Sequence, residues 1–167
     1  HYIYEMGHRR IAFIHGEDTS VTQKRLISFH KTCASLGMRV PEYYVKPALY
    51  HDPKLSGLAT RELLALSDRP TCILYPDDFS FIGGMNELER QGISIPDDMS
   101  VAGYDGILLS QVLRPRLTTY HQDAEAMGCE AAAKLVELIE QPKTSLPQQI
   151  MVSGQLLKGD TIRNINE

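Results

Sequence analysis

Asp18, Tyr50, His51, Asp77, Asp78 and Asp105 each fall just behind a short apolar run, and Arg25 lies one turn into the helix predicted after the first run. Carboxylates accept hydrogen bonds, and a guanidinium offers five donors in a planar fork. Together they suit a polyhydroxylated small molecule, because each group can hold two neighbouring hydroxyls. In open α/β sheets, ligands collect outside the carboxyl ends of the strands, where these residues are predicted to lie. Taken singly, each acid reads first as a helix cap and Arg25 as its ion-pair partner. Taken as a set, they compete as the rim of a binding site. Asp105 is the sharpest case: it closes the run S-V-A-G-Y-D (Ser100 to Asp105) and is followed by Gly106.

Other chemistries lack their residues. There is no G-x-G-x-x-G after the first predicted strand, no G-x-x-x-x-G-K-[ST], no G-x-S-x-G, no H-E-x-x-H and no C-x-x-C. Glu17 and Asp18 at the first strand-to-helix link would repel a phosphate. Asp77 beside Asp78 fits a magnesium site in principle. Adjacent residues on extended backbone point opposite ways, so the pair reads as a cap plus at most one ligand-facing carboxylate. His8 reads as a solvated or capping residue at a helix end, or as an interface contact. His121 reads as structural, and His1, His15 and His30 match no ligand motif.

These side chains require strands that deliver them to one edge. Arg10 to His15, Tyr43 to Ala48, Thr71 to Tyr75, Met99 to Tyr104 and Leu117 to His121 read as short buried strands, with a last strand over Gln148 to Leu157 and a bulge at Gly154. Ser20 with Gln23 fits a capping box opening a helix to about Leu36, stopped by Gly37. Asp52-Pro53 opens a second helix, Asp77-Asp78 a third running to about Gln91, and Asp123 a last one over Ala124 to Gln141 before Pro142. A helical turn is predicted at Leu108 to Val112, and the opening residues resemble the end of a helix stopped by Gly7. Strands alternating with such helices imply an α/β body: a parallel sheet with helices on both faces.

The chain has 167 residues, 43% hydrophobic and 23% charged, which suits one soluble domain. A net charge of -4 offers no footprint for a phosphate backbone, so nucleic acid is not expected to bind this stretch directly. Cys33, Cys72 and Cys129 are odd in number and far apart, which predicts buried thiols in a reducing compartment. No run approaches the roughly 20 apolar residues of a membrane span. No cofactor and no metal site is expected.

In order along the chain, G-H-R-R-I-A-F-I-H-G (Gly7 to Gly16), R-L-I-S-F (Arg25 to Phe29), P-D-D with Gly83, I-P-D-D-M-S-V-A-G-Y-D (Ile95 to Asp105), P-R-L-T-T-Y-H-Q (Pro115 to Gln122) and M-G-C-E-A-A (Met127 to Ala132) resemble the effector-binding core of bacterial LacI/GalR-type transcription repressors. The resemblance implies a type I periplasmic-binding-protein fold with two lobes around a small effector, behind a helix-turn-helix head. It implies that residues 8–121 form the C-terminal lobe and 122–167 the crossing helix and strand, the head and most of the first lobe lying outside this sequence. It implies a cytoplasmic, homodimeric regulator that is not an enzyme, binds a sugar or sugar-like effector and touches operator DNA only through the head. Arg25, Asp77 and Asp105 match its effector-contacting positions. The pattern departs at Ser28, where glycine is usual, and at Lys158 and Asp160, where arginine and serine are usual. It departs again after the second strand, where Tyr50 or His51 stands in for the usual aromatic. A surface or periplasmic sugar-binding protein, and a small metal-using α/β enzyme built on Asp77 and Asp78, remain as alternatives. The crossing helix is expected to hide its apolar face in a dimer or against the chain's own sheet.

Overall fold

The structure, a computed structural model, describes residues 1–166. Its sheet has the order β2-β1-β3-β4-β5-β6. The strands are β1 (Ile11–His15), β2 (Val45–Pro47), β3 (Cys72–Leu74), β4 (Ser100–Asp105), β5 (Thr118–His121) and β6 (Gln155–Leu157). The helices are α1 (Tyr2–Glu5), α2 (Ser20–Ser35), α3 (Pro53–Leu64), α4 (Asp78–Arg90), α5 (Leu108–Val112) and α6 (Ala124–Glu140). β1 through β5 are mutually parallel, whereas β6 runs antiparallel beside β5.

Alternation along the strands divides the core. Ala12, Ile14, Ile73, Tyr75 and Val101 face α3 and α4, meeting Leu63, Leu64, Phe81 and Leu88. Ile11, Cys72 and Ala102 face the other way, toward Phe29 of α2 and Ile3 and Met6 at α1. Both faces of β1, β3 and most of β4 are therefore covered, which is why their sequences read as nearly continuous apolar runs.

Several expectations need correction. α2 is capped by Thr19, whose Oγ1 accepts the Thr22 N–H at 3.2 Å, and not by Ser20. Gln23 donates instead to Asp18 Oδ1 at 2.6 Å. The second predicted strand begins with a single 3-10 turn at Glu42–Tyr44, because Tyr44 turns inward and donates its hydroxyl to the Asp68 carbonyl at 2.8 Å. The last strand is only Gln155–Leu157; residues 148–154 are not paired, although Gly154 does lie against Tyr120 and His121. His8 is neither solvated nor a cap. It is 1% exposed, its Nε2–H donating to the Arg163 carbonyl at 3.0 Å and its Nδ1 2.9 Å from Thr71 Oγ1, and burial holds its pKa below the ordinary value. Cys33 and Cys72 are buried as expected, but Cys129 is exposed. α6 has not refolded onto the sheet: it has no buried residue, and Leu135, Val136 and Ile139 are exposed.

α3 and α4 are joined by an ionic clasp as well as by packing. The Glu87 carboxylate, 5% exposed, accepts from Arg61 at 3.0 and 3.2 Å, from Arg90 at 2.6 to 3.0 Å and from Gln91 at 2.6 Å. Those donors, Arg61 first, hold its pKa down to about 2. A carboxylate depressed in the folded state adds stability that is complete above its unfolded pKa of roughly 4.3 and is lost as pH falls through the folded value. Both arginines are half exposed, which screens the pairs. Glu87→Gln is expected to cost about 1.5 kcal/mol at neutral pH. In urea melts the gap to wild type should close between roughly pH 4 and about 2; a gap independent of pH would refute the clasp.

Candidate effector site at the carboxyl edge of the sheet

The strand order reverses between β1 and β3, and a doubly wound sheet opens a crevice where its order reverses. The segments leaving β1, β2, β3 and β4 carry the residues singled out above.

Arg25, in the second turn of α2, lies over the ring of Tyr104, its Cζ 3.9 Å from the centroid, and 5.4 Å from the centroid of the Tyr50 ring. Its Nη1 donates to the Pro76 carbonyl at 3.0 Å. Stacking and one fixed hydrogen bond hold the guanidinium plane, so the remaining N–H groups are presented with little rotamer entropy left to lose. Tyr50 packs its ring on Gly16, where any Cβ would collide with it, and its hydroxyl lies 2.9 Å from Thr22 Oγ1. Its backbone N–H donates to Glu17 Oε2 at 2.9 Å, which lowers the Glu17 pKa. Beside Arg25 a cleft of about 300 Å³ opens between α2 and the sheet, walled by Phe13, Ser28, Phe29 and Tyr104.

Asp105 ends β4 with φ 104°, and Gly106 follows at φ 69°. A non-glycine residue there costs on the order of 1–3 kcal/mol and persists only where its surroundings over-determine it. Its Oδ1 accepts from Gln122 Nε2 at 2.6 Å, and its carbonyl accepts the Gln122 N–H at 3.1 Å. Among the described residues no donor reaches Oδ2. Burial pushes the Asp105 pKa above its ordinary value and Asp77 adds to that, while Gln122, then Arg25 and His51, oppose it.

The neighbouring acids face inward. Asp77 is 1% exposed and caps α4: Oδ1 accepts Ser80 N–H at 2.7 Å, and Oδ2 accepts Ser80 Oγ–H at 2.8 Å and the His51 N–H at 3.0 Å. It thereby holds His51 in the left-handed region (φ 55°), with the exposed imidazole 3.6 Å from the carboxylate and the Phe79 ring nearby. Asp78 is also 1% exposed, its Oδ1 accepting from Thr119 at 2.6 Å and its Oδ2 from the Ile107 N–H at 3.0 Å; burial raises its pKa. Both carboxylates are thus occupied by backbone and hydroxyl donors, and among the described residues no cluster of His, Cys, Asp and Glu could hold a metal ion.

Of the singled-out residues, Arg25, Tyr50, His51, Asp77 and Asp105 converge on this edge. Asp18 stays on the exposed rim, engaged with Gln23. Tyr104 and Gln122 were not singled out from the sequence. Tyr104 stands next to Asp105 in a strand, and alternation could have placed it on the α2 face. Gln122 has no comparable local sign.

The periplasmic binding protein-like domain family matches residues 1–162. The chain is 33% identical over 168 residues to a probable HTH-type transcriptional repressor, ExuR, of Bacillus subtilis, an alignment covering 98% of this chain and 49% of that protein. A putative transcriptional regulator LacI from Bacillus cereus subsp. cytotoxis has a TM-score of 0.91 at 30% identity, covering 98% of this chain and 57% of the other. The transcriptional regulator CelR, solved as a cellobiose complex, has a TM-score of 0.87 at 27% identity, covering 96% and 49%. The chain spans about half the length of the curated relatives it matches. No helix among the described residues is long and apolar enough to cross a membrane.

Proposed function

The chain belongs to the periplasmic binding protein-like domain family, and from that premise we propose that it is the effector-sensing part of a LacI-type DNA-binding repressor, with a sugar or sugar-like molecule as effector. The observation that carries the reading is the pairing at the sheet edge. Arg25 is held by Tyr104 and Pro76 with donors to spare, and Asp105 is held by Gln122 with one oxygen to spare. A fixed donor and a fixed acceptor at one sheet edge suit neighbouring hydroxyls of one small molecule. That a related regulator is solved with cellobiose supports the same chemical class.

In this reading residues 8–121 are the second lobe and residues 122–167 carry the crossing helix and strand. A first lobe closes over the edge, and α6 buries its apolar face against that lobe. The effector acts by binding one arrangement of the lobes better than the other, and the difference reaches operator DNA through a homodimer and its helix-turn-helix heads, in the cytoplasm. Arg25 and Asp105 contact the effector directly; Tyr50 and His51 border it, Asp77 sets His51 from behind, and Asp18 lies outermost.

The test is a thermal-shift screen of D-glucose, D-galactose, D-ribose and cellobiose on the intact repressor, followed by operator gel shifts with any sugar that stabilises it. A sugar that raises the melting temperature and changes operator affinity is the expected result. Stabilisation with unchanged operator affinity would instead favour a binding protein without DNA. Arg25→Lys, which keeps the charge but loses the planar fork, is expected to weaken binding of that sugar at least tenfold by calorimetry. Equal affinity would remove Arg25 from the site.

A further inference from the structure

We propose that Gln122 is the positioning residue of the effector site: it sets the Asp105 carboxylate and ties it to the junction where the chain leaves the sheet for α6. The proposal rests on the effector reading only for its consequence, not for its geometry.

Gln122 grips Asp105 twice, side chain to side chain at 2.6 Å and backbone N–H to backbone carbonyl at 3.1 Å. One partner thus holds both the carboxylate and the backbone of Asp105. The grip falls where the backbone most needs it, since Asp105 and Gly106 are consecutive left-handed residues. Two further supports act on the residues that follow Asp105 and not on its carboxylate: Asp78 receives the Ile107 N–H, and His121 Nδ1 lies 3.2 Å from the Gly106 carbonyl. Without Gln122 the carboxylate keeps no hydrogen bond among the described residues.

The position of Gln122 gives the grip a second end. It follows His121, the last residue of β5 and the cross-strand partner of Asp105, and precedes Asp123, whose Oδ1 accepts the Ala126 N–H at 2.9 Å to cap α6. A hydroxyl drawn to the free Oδ2 of Asp105 pulls on the tied Oδ1, and that pull arrives one residue before the cap of α6. Effector engagement at β4 is thereby felt first at the β5–α6 junction, through one amide.

The test needs no effector. With [4-13C]aspartate in the full 167-residue chain, the Asp105 carboxyl is identified as the resonance lost in Asp105→Asn and is titrated in wild type, Gln122→Ala and Gln122→Met. Removing the amide donor destabilises the carboxylate form, so the Asp105 midpoint is expected to rise in both variants. The charged groups facing it from other elements, Arg25, His51, Asp77, Asp78 and His121, are unchanged among the three proteins. In wild type the Ala126 amide should shift with the Asp105 midpoint, and in both variants it should cease to follow it. A midpoint unmoved in both variants, or an Ala126 amide deaf to Asp105 in wild type, overturns the proposal. The methionine variant keeps the length of the side chain, so a loss of packing in the alanine variant cannot imitate the result. In the intact repressor, whichever of the four sugars stabilises wild type is expected to bind Gln122→Met at least tenfold more weakly at a temperature where both proteins are folded; equal binding overturns the functional half. If none of the four binds wild type, the effector reading fails, while the titration still decides the positioning role.

Discussion

Asp105→Ala in the intact repressor is expected to remove the effector's influence on operator binding at effector concentrations that saturate wild type, while leaving operator affinity itself near wild type. Each charge-assisted hydrogen bond from a ligand hydroxyl to this carboxylate is worth about 1.5–3 kcal/mol, and one oxygen is free to accept. Losing it alone weakens effector binding by roughly tenfold to a hundredfold. The protein should still fold, because the carboxylate is partly desolvated beside Asp77 and Asp78, and removing it relieves like-charge repulsion. Asparagine separates charge from shape. It tolerates positive φ better than alanine does and still accepts a hydrogen bond, so Asp105→Asn should fall between wild type and alanine. Effector titrations followed by operator gel shift decide the matter: a wild-type response in the alanine variant would exclude Asp105 from the site.

The largest structural effect is expected at Gly83. α3 and α4 approach so closely there that a Cβ would be driven into the Pro53 carbonyl, and a Cβ on Gly57 of the other helix would come within 3.0 Å of the Gly83 carbonyl oxygen. The obstruction is backbone, not a flexible side-chain end, so the helices must separate. Alanine gains about 1 kcal/mol of helix propensity over glycine, while overpacking of this kind costs about 1–3 kcal/mol and sometimes more. With backbone as the obstacle, the upper end applies, and Gly83→Ala should lose about 2 kcal/mol net by urea denaturation. Pro53 is the first residue of α3 and lies two positions from His51, so the same change should disturb the His51–Asp77 contact and weaken effector binding. A variant as stable as wild type would mean that the helices can slide apart freely at this crossing.

Much of the architecture was legible along the chain. The runs at Ile11, Cys72 and Ser100 are largely apolar because both faces of their strands are covered, and Asp52, Asp77 and Asp123 announce helix starts by the caps they make. What misled was local ambiguity. Thr19 and Ser20 are equally good caps on paper, and Tyr43 and Tyr44 suit a strand until a buried hydroxyl partner at Asp68 turns them. Residues 148–154 carry strand-like composition but have no neighbouring strand to pair with.

For the site the division is sharper. Which residue types stand at strand ends is a matter of sequence, because hydrophobic periodicity sets where a strand stops and a polar residue begins. That reasoning placed Arg25, Tyr50, His51 and Asp105 at one edge without any contact being known. It left open whether a given carboxylate faces a ligand or the protein, because that depends on donors distant in the chain. Asp77 and Asp78 are turned inward by Ser80, the His51 and Ile107 backbones and Thr119, whereas Asp105 keeps an oxygen free because only Gln122 claims it. Cap and ligand contact are the same chemistry, a carboxylate accepting N–H or O–H. Only the tertiary structure sets how many donors each carboxylate meets, and so which oxygen is left without one.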